Sequence, residues 1–322
     1  MDLIYTDENR VEQGVLSAYQ LDMSFGESEN DFELTQNKDQ PLPFGAFVYS
    51  EGTEYGGIID GVKTSTNSQV LTYFGRTWHG ILNSKIIEPP EGSDYLIVSG
   101  DANVVLKSLI HTLGLDDIFT VSAEISGITI NNYQFDRYVK AYEGINKLMR
   151  ARNAKLKMRW ENNSVMLCAS PRVISSGDCL DEYSATISVE KHANKVNHLI
   201  CLGSGELANR LVCHWYCDAS GIITGGKHYT GLDEITEIYD DSGADTIEKL
   251  QSAGYNYFLK LLKTDVFDVD INDDVLTDYD INDEIVAFES KTNTKTSERV
   301  VQKIVRIQNG VVRTEYKTGG QT

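Results

Sequence analysis

The sequence predicts an α+β fold, mostly β, in which two β-rich stretches flank a helix-bearing middle block. Three observations predict it. Short apolar runs broken by turn residues fill residues 1–98 and return after residue 181, the spacing of a barrel or sandwich. Between them, over 99–180, the apolar spacing becomes helical. The 322 residues include 17 Tyr, 26 Gly and only 5 Pro, with recurring Thr, Val and Ile, a composition suited to strands and turns. A chain this long holds two or three compact cores. The expected division is 1–98, 99–180 and 181–322, the last with a small helical insertion around 232–264.

The elements follow in order. Residues 3–5, 18–24, 31–35, 46–49, 57–62 and 69–75 are short strand-like runs. In GDANVVLKSLIHTLGL, residues 100–115, Val104, Val105, Leu106, Leu109, Ile110 and Leu113 fall at helical spacing, with Asp101 as N-cap and Gly114 as C-cap. A second helix is expected over 137–153. Residues 156–160 and 164–169 read as a hairpin turned by Glu161-Asn162-Asn163. Strands resume at 183–189, 196–202 and 210–217. A helix is expected over 244–263, and strands alternate with turns over 265–322.

Charge and composition exclude several classes. Lys and Arg number 29 against 48 Asp and Glu, a formal net charge of −19. So acidic a surface repels phosphate backbones, which excludes tight nucleic-acid binding and suits a wall that DNA passes without being held. No stretch approaches the about 18–20 apolar residues of a membrane span. The first residues, MDLIYTDENRVEQG, lack the basic and apolar regions of a secretory signal, so folding in the cytosol is expected. Five cysteines in a long chain are then expected to be reduced thiols.

Four patterns carry possible chemistry. Gly203-Ser204-Gly205-Glu206-Leu207-Ala208 matches G-x-G-x-x-A after an apolar run. A dinucleotide site also needs a βαβ unit and further parallel strands, and the segment after it is too short for the helix. A glycine-rich bend between two strands is the expectation. His198, Cys201, Cys213, His214 and Cys217 fit metal-ligand spacing only loosely. On a strand, Cys213, Trp215 and Cys217 would share one face as small hydrophobes, and metal binding stays open. Asp265, Asp268, Asp270, Asp273, Asp274, Asp278, Asp280, Asp283 and Glu284 crowd one segment. Its calcium-loop likeness from Asp270 fails where Gly and Glu are required, at Val275 and Ile281. No nucleophile-elbow, zinc-protease or kinase motif is present, and His79 and His111 lie beside no nucleophile motif. Carboxylates are abundant enough that a carbohydrate-active hydrolase using a carboxylate pair stays as the alternative.

An ordered set of segments carries a resemblance. Residues 3–7 (LIYTD), 19–24, 27–34, 55–62 (YGGIIDGV) and 71–87 (LTYFGRTWHGILNSKII) form its first half. GSGELANR at 203–210, Tyr216, DASG at 218–221, YDINDEIV at 279–286 and 300–319 form its second. Together they resemble the baseplate hub proteins of phage tails, PBSX-like prophage hubs among them, over nearly the whole chain. The resemblance implies two β-barrel tube domains with inserted small α+β domains. It implies a homotrimeric ring joining a hexameric tail tube to a trimeric spike or central tail-tip protein, beside other baseplate proteins. It implies a structural role with no catalysis and no cofactor, assembly in the bacterial host cytoplasm, and residence in the tail. No peptidase or lysozyme module is expected after the hub-like part. Within this frame Arg76, Trp78 and His79 are the expected subunit contact, since Arg and Trp often anchor interfaces. The acidic residues Asp278, Asp280, Asp283 and Glu284 are the expected channel lining or rim.

Overall fold

The computed structural model describes residues 1–37, 41–67, 69–174, 185–190, 195–262, 266–271, 279–291, 293–308 and 310–319. It is mostly β with few helices, as the composition indicates. Contacts divide the chain into a larger unit, Met1–Ile187 with Asp268–Thr322, and a smaller one, Ser188–Phe267.

The larger unit is built on a ten-stranded antiparallel sheet. Its N-terminal strands are β1 (Ile4–Thr6), β2 (Glu12–Val15), β3 (Tyr19–Gly26), β4 (Asp31–Asn37), β5 (Phe47–Tyr49), β6 (Gly56–Lys63) and β7 (Val70–Thr77). Period-two alternation drives the pairing: Leu21, Met23 and Phe25 of β3 and Phe32 and Leu34 of β4 are buried, while Asp22, Asp31 and Glu33 point out. Glycine at 75 is required by close approach, because a Cβ there would lie 1.9 Å from the Ile58 carbonyl oxygen.

After β7 the period changes. Thr77 accepts a hydrogen bond from the Gly80 N–H and caps a short helix, α1 (Trp78–Asn83). The middle block follows as β8 (Ile86–Ile87), β9 (Ile97–Asp101), α2 (Ala102–Thr112), β10 (Phe119–Val121), β11 (Thr129–Gln134), β12 (Val139–Lys140), α3 (Ala141–Arg150), β13 (Ala154–Glu161) and β14 (Ser164–Pro171). Asp101 caps α2 through the Asn103 N–H and also binds Ser126 and Gly127, which holds its carboxyl below the ordinary range. The β13–β14 hairpin turns through Asn162 and Asn163, both at positive φ. Both helices, the hairpin, Trp78 and Phe47 share one apolar core.

The chain leaves along β15 (Ala185–Glu190) and, after the smaller unit, returns along β20 (Val266–Ile271), and these strands pair. The smaller unit is a four-stranded sheet of β16 (His198–Leu202), β17 (Val212–Cys217), β18 (Ile223–Thr224) and β19 (Thr236–Asp240), with α4 (Ile247–Leu262) against one face. Leu250, Gly254 and Phe258 of the helix are its buried residues.

The last strands are β21 (Glu284–Glu289), β22 (Thr294–Gln308) and β23 (Val311–Gly319). The sequence places them in a second β-rich domain over 181–322; instead β22 pairs with β3, from Gln302↔Gly26 to Gln308↔Gln20. The reason is the buried face of β22: Val305 and Ile307 complete the core of β3 and β4. Among the described residues the strand path runs from β2 to β21, with β23 on the other edge of β22, and does not close into a barrel.

Candidate functional site

The expected contact residues divide. Trp78 is fully buried, stacked on Trp160 at 5.2 Å and edge-on to Phe47 at 5.3 Å. His79 is 2% exposed, stacked on Phe25 at 4.8 Å and edge-on to Tyr142 at 5.1 Å. These rings fill the core, so they cannot touch a second subunit. The cause is α1, which turns residues 78–82 inward where an uninterrupted strand would have kept half of them outside. Burial, with Lys303 adding repulsion, lowers the pKa of His79 to about 3 and keeps the ring neutral. Arg76 stays at the surface, gripping Asp60 through two hydrogen bonds of 2.8 and 2.7 Å.

The acidic stretch also turns inward. Asp278 lies outside the described residues. Asp283 is fully buried and accepts from the Val173 N–H (2.7 Å), the Asp280 N–H (2.8 Å) and Lys155 Nζ (2.6 Å). Lys155 also lies 2.5 Å from Asp280, and its own side chain is 3% exposed. Glu284 pairs with Arg172 at 3.2 Å and accepts from Ser297. Asp283 and Glu284 are therefore partners of cations inside the larger unit and do not line an open rim. A carboxylate that has lost its water needs such partners to stay charged. Desolvation alone would lower the Lys155 pKa; the bonds to Asp280 and Asp283 outweigh it and raise it.

This pair belongs to a wider buried junction. Lys303, 1% exposed, lies 2.9 Å from Glu54, whose other oxygen is 3.8 Å from His79. Arg299 reaches Glu27 at 2.8 Å and Asn282 at 3.2 Å. Asn282 donates to Asn146 of α3 at 2.6 Å. The junction fastens the C-terminal strands to both the N-terminal sheet and the middle block, and fixes their geometry. Sequence reasoning missed Lys155, Arg299 and Lys303. Alternation in β13 and β22 assigns charged residues to solvent, and no local signal marks these three as buried.

In the smaller unit the cysteine and histidine set splits by strand face. Leu199, Cys201, Cys213 and Cys217 pack in the core against α4. His198 and His214 occupy the other face, their nitrogens 2.9 Å apart. The thiols and imidazoles alternate in β17 and so cannot converge on one ion. Burial pushes the Cys201 thiol up to about 12, with Cys213 opposite it in register. The glycine turn at 203–208 connects β16 to β17. Gly205 has φ +101°, and a Cβ there would lie 2.5 Å from the Asn209 oxygen. Of the acidic run, Asp265, Asp273 and Asp274 also lie outside the described residues.

No family model matches the sequence, and no curated protein matches it. Solved structures share its fold over essentially the full length. A prophage tail protein from Listeria monocytogenes aligns at 10% identity with a TM-score of 0.54, covering 100% of this chain and 95% of that one. The 43 kDa tail protein of prophage MuSo2 from Shewanella oneidensis aligns at 10% identity and 0.55, covering 99% and 98%. A chain from the phage P2 baseplate in its activated conformation aligns at 11% identity and 0.51, covering 99% of both. At these identities the likeness is one of fold. No helix among the described residues is long and apolar enough to cross a membrane.

Proposed function

We propose that this chain is a structural hub of a phage-type tail or baseplate. Three copies form a ring that lines the channel, meets the hexameric tail tube on one face and receives a spike or central tail-tip protein on the other. The observation that carries this is the fold. The chain is matched end to end, with no large part left over on either side, by proteins of phage tails and a phage baseplate. The net charge of −19 supports a wall that passes DNA or protein without retaining it. The role is non-enzymatic, assembly takes place in the bacterial host cytoplasm, and the product resides in the tail. Its partners are further copies of itself, the tube protein, the spike or tip protein and other baseplate proteins.

The test is the mass of the purified chain by light scattering, with imaging of the same peak. A trimer of ring-shaped particles is expected, either alone or after adding a phage-type tube protein and spike protein. A chain that stays monomeric with both partners present would refute the ring.

A further inference from the structure

We infer that the face of the smaller unit's sheet opposite α4 holds a divalent transition-metal site, with His198 Nε2 and His214 Nδ1 as its two protein ligands. These nitrogens come from neighbouring strands and face each other at 2.9 Å. The buried ring, His198, is held on its far side: Nδ1 lies 2.7 Å from Glu234 Oε1 and 3.2 Å from Thr236 Oγ1. Tyr216 stacks on the same ring at 4.4 Å. Glu234 is itself fixed by Lys227 at 2.7 Å.

An ionised carboxylate at Nδ1 draws the ring proton there, so Nε2 presents its lone pair towards His214. This is the outer arrangement that orients metal-bound histidines. Without metal, His214 donates its Nδ1–H into that lone pair. A tetrahedral ion with metal–nitrogen bonds of about 2.0–2.1 Å sets two ligand nitrogens about 3.3 Å apart. Opening the pair from 2.9 Å takes a shift of a few tenths of an ångström, within reach of the exposed His214 side chain. His214 then carries its proton on Nε2 in place of Nδ1. The described residues hold no group of three or more His, Cys, Asp or Glu side chains around one point, so water fills the remaining positions. Two imidazoles with water suit zinc, copper or nickel over magnesium or calcium. The site is independent of the hub assignment.

The test is titration of the untagged full-length chain with zinc by calorimetry, and with cobalt followed by its visible absorption. One saturable site per chain is expected. His214→Ala, which removes an exposed ring and leaves the core intact, is expected to weaken zinc binding at least about tenfold. Glu234→Gln, through loss of orientation, is expected to weaken it about 10–100-fold. Circular dichroism of both variants checks that the fold is unchanged. Absence of saturable binding at about millimolar zinc, or binding in either variant equal to that of the unaltered chain, would overturn the site.

Discussion

Replacing Asp283 with alanine tests whether the buried junction holds the larger unit together. The side chain accepts three hydrogen bonds, from Lys155 Nζ and from the Val173 and Asp280 N–H groups. Alanine leaves two backbone donors unpaired and a buried ammonium with Asp280 as its remaining carboxylate, itself 20% exposed. Removing one partner of a buried ion pair costs about 3–5 kcal/mol. The orphaned N–H groups push towards the upper end of that range, and the surviving Asp280 contact pulls back from it. At about 2–4 °C per kcal/mol for a unit of this size, the melting temperature is expected to fall by about 6–20 °C. Scanning calorimetry at pH 7 reads this directly. Lys155→Met alone should cost a similar amount, because it strands the Asp283 carboxylate. The double variant Lys155→Met with Asp283→Ala should lose less than the sum of the two by more than about 1 kcal/mol. An Asp283→Ala cost below about 1 kcal/mol, or strict additivity, would refute the reasoning.

Three further outcomes follow from the same geometry. His79 is neutral in the folded chain down to about pH 3, whereas the unfolded chain protonates it below its ordinary value near 6.5. Stability therefore falls with acid across that window, by up to about 1.4 kcal/mol per pH unit. His79→Phe should flatten that acid limb by one proton's worth in calorimetric scans, and an unchanged slope would exclude His79 as its source. Gly254→Ala places a Cβ 2.3 Å from Cys201 Sγ, so the smaller unit should lose about 1–3 kcal/mol in chemical denaturation. Adding Cys201→Ala should restore most of that loss, and failure to do so would contradict the contact. Arg76→Ala, at an exposed ion pair, should change monomer stability by less than about 1 kcal/mol. A larger loss in a thermal melt would show that the Asp60 pair has a greater structural role than its exposure indicates.

Local signals were legible and distant pairings were not. The helix read from 100–115 forms as Ala102–Thr112 because apolar spacing, an Asp cap and a terminal glycine agree in one window. The hairpin read around Asn162-Asn163 forms for the same reason, since both residues accept the left-handed conformation the turn requires. The strand connection at Gly203–Ala208 was legible from the helix it lacked: a single short turn over Leu207–Asn209 leads straight into antiparallel β17. By contrast, nothing local in β22 specifies that Gln302–Gln308 will pair with residues near position 20, because register between distant segments is fixed only by the completed core. Trp78 and His79 were misplaced for a related reason. Aromatic and basic residues suit an interface and a core equally until the helix that turns them is known. Asp283 was placed at a channel lining or rim because it is charged, and Lys155 was missed; only their meeting makes their burial tolerable.

The most direct measurement of the central claim is imaging of the chain mixed with a phage-type tail-tube protein. The chain is expected to cap one end of each tube as a ring of three copies, about 108 kDa from a 36.0 kDa chain. Tubes whose ends stay bare at saturating chain, with the chain remaining monomeric in the same sample, would contradict it.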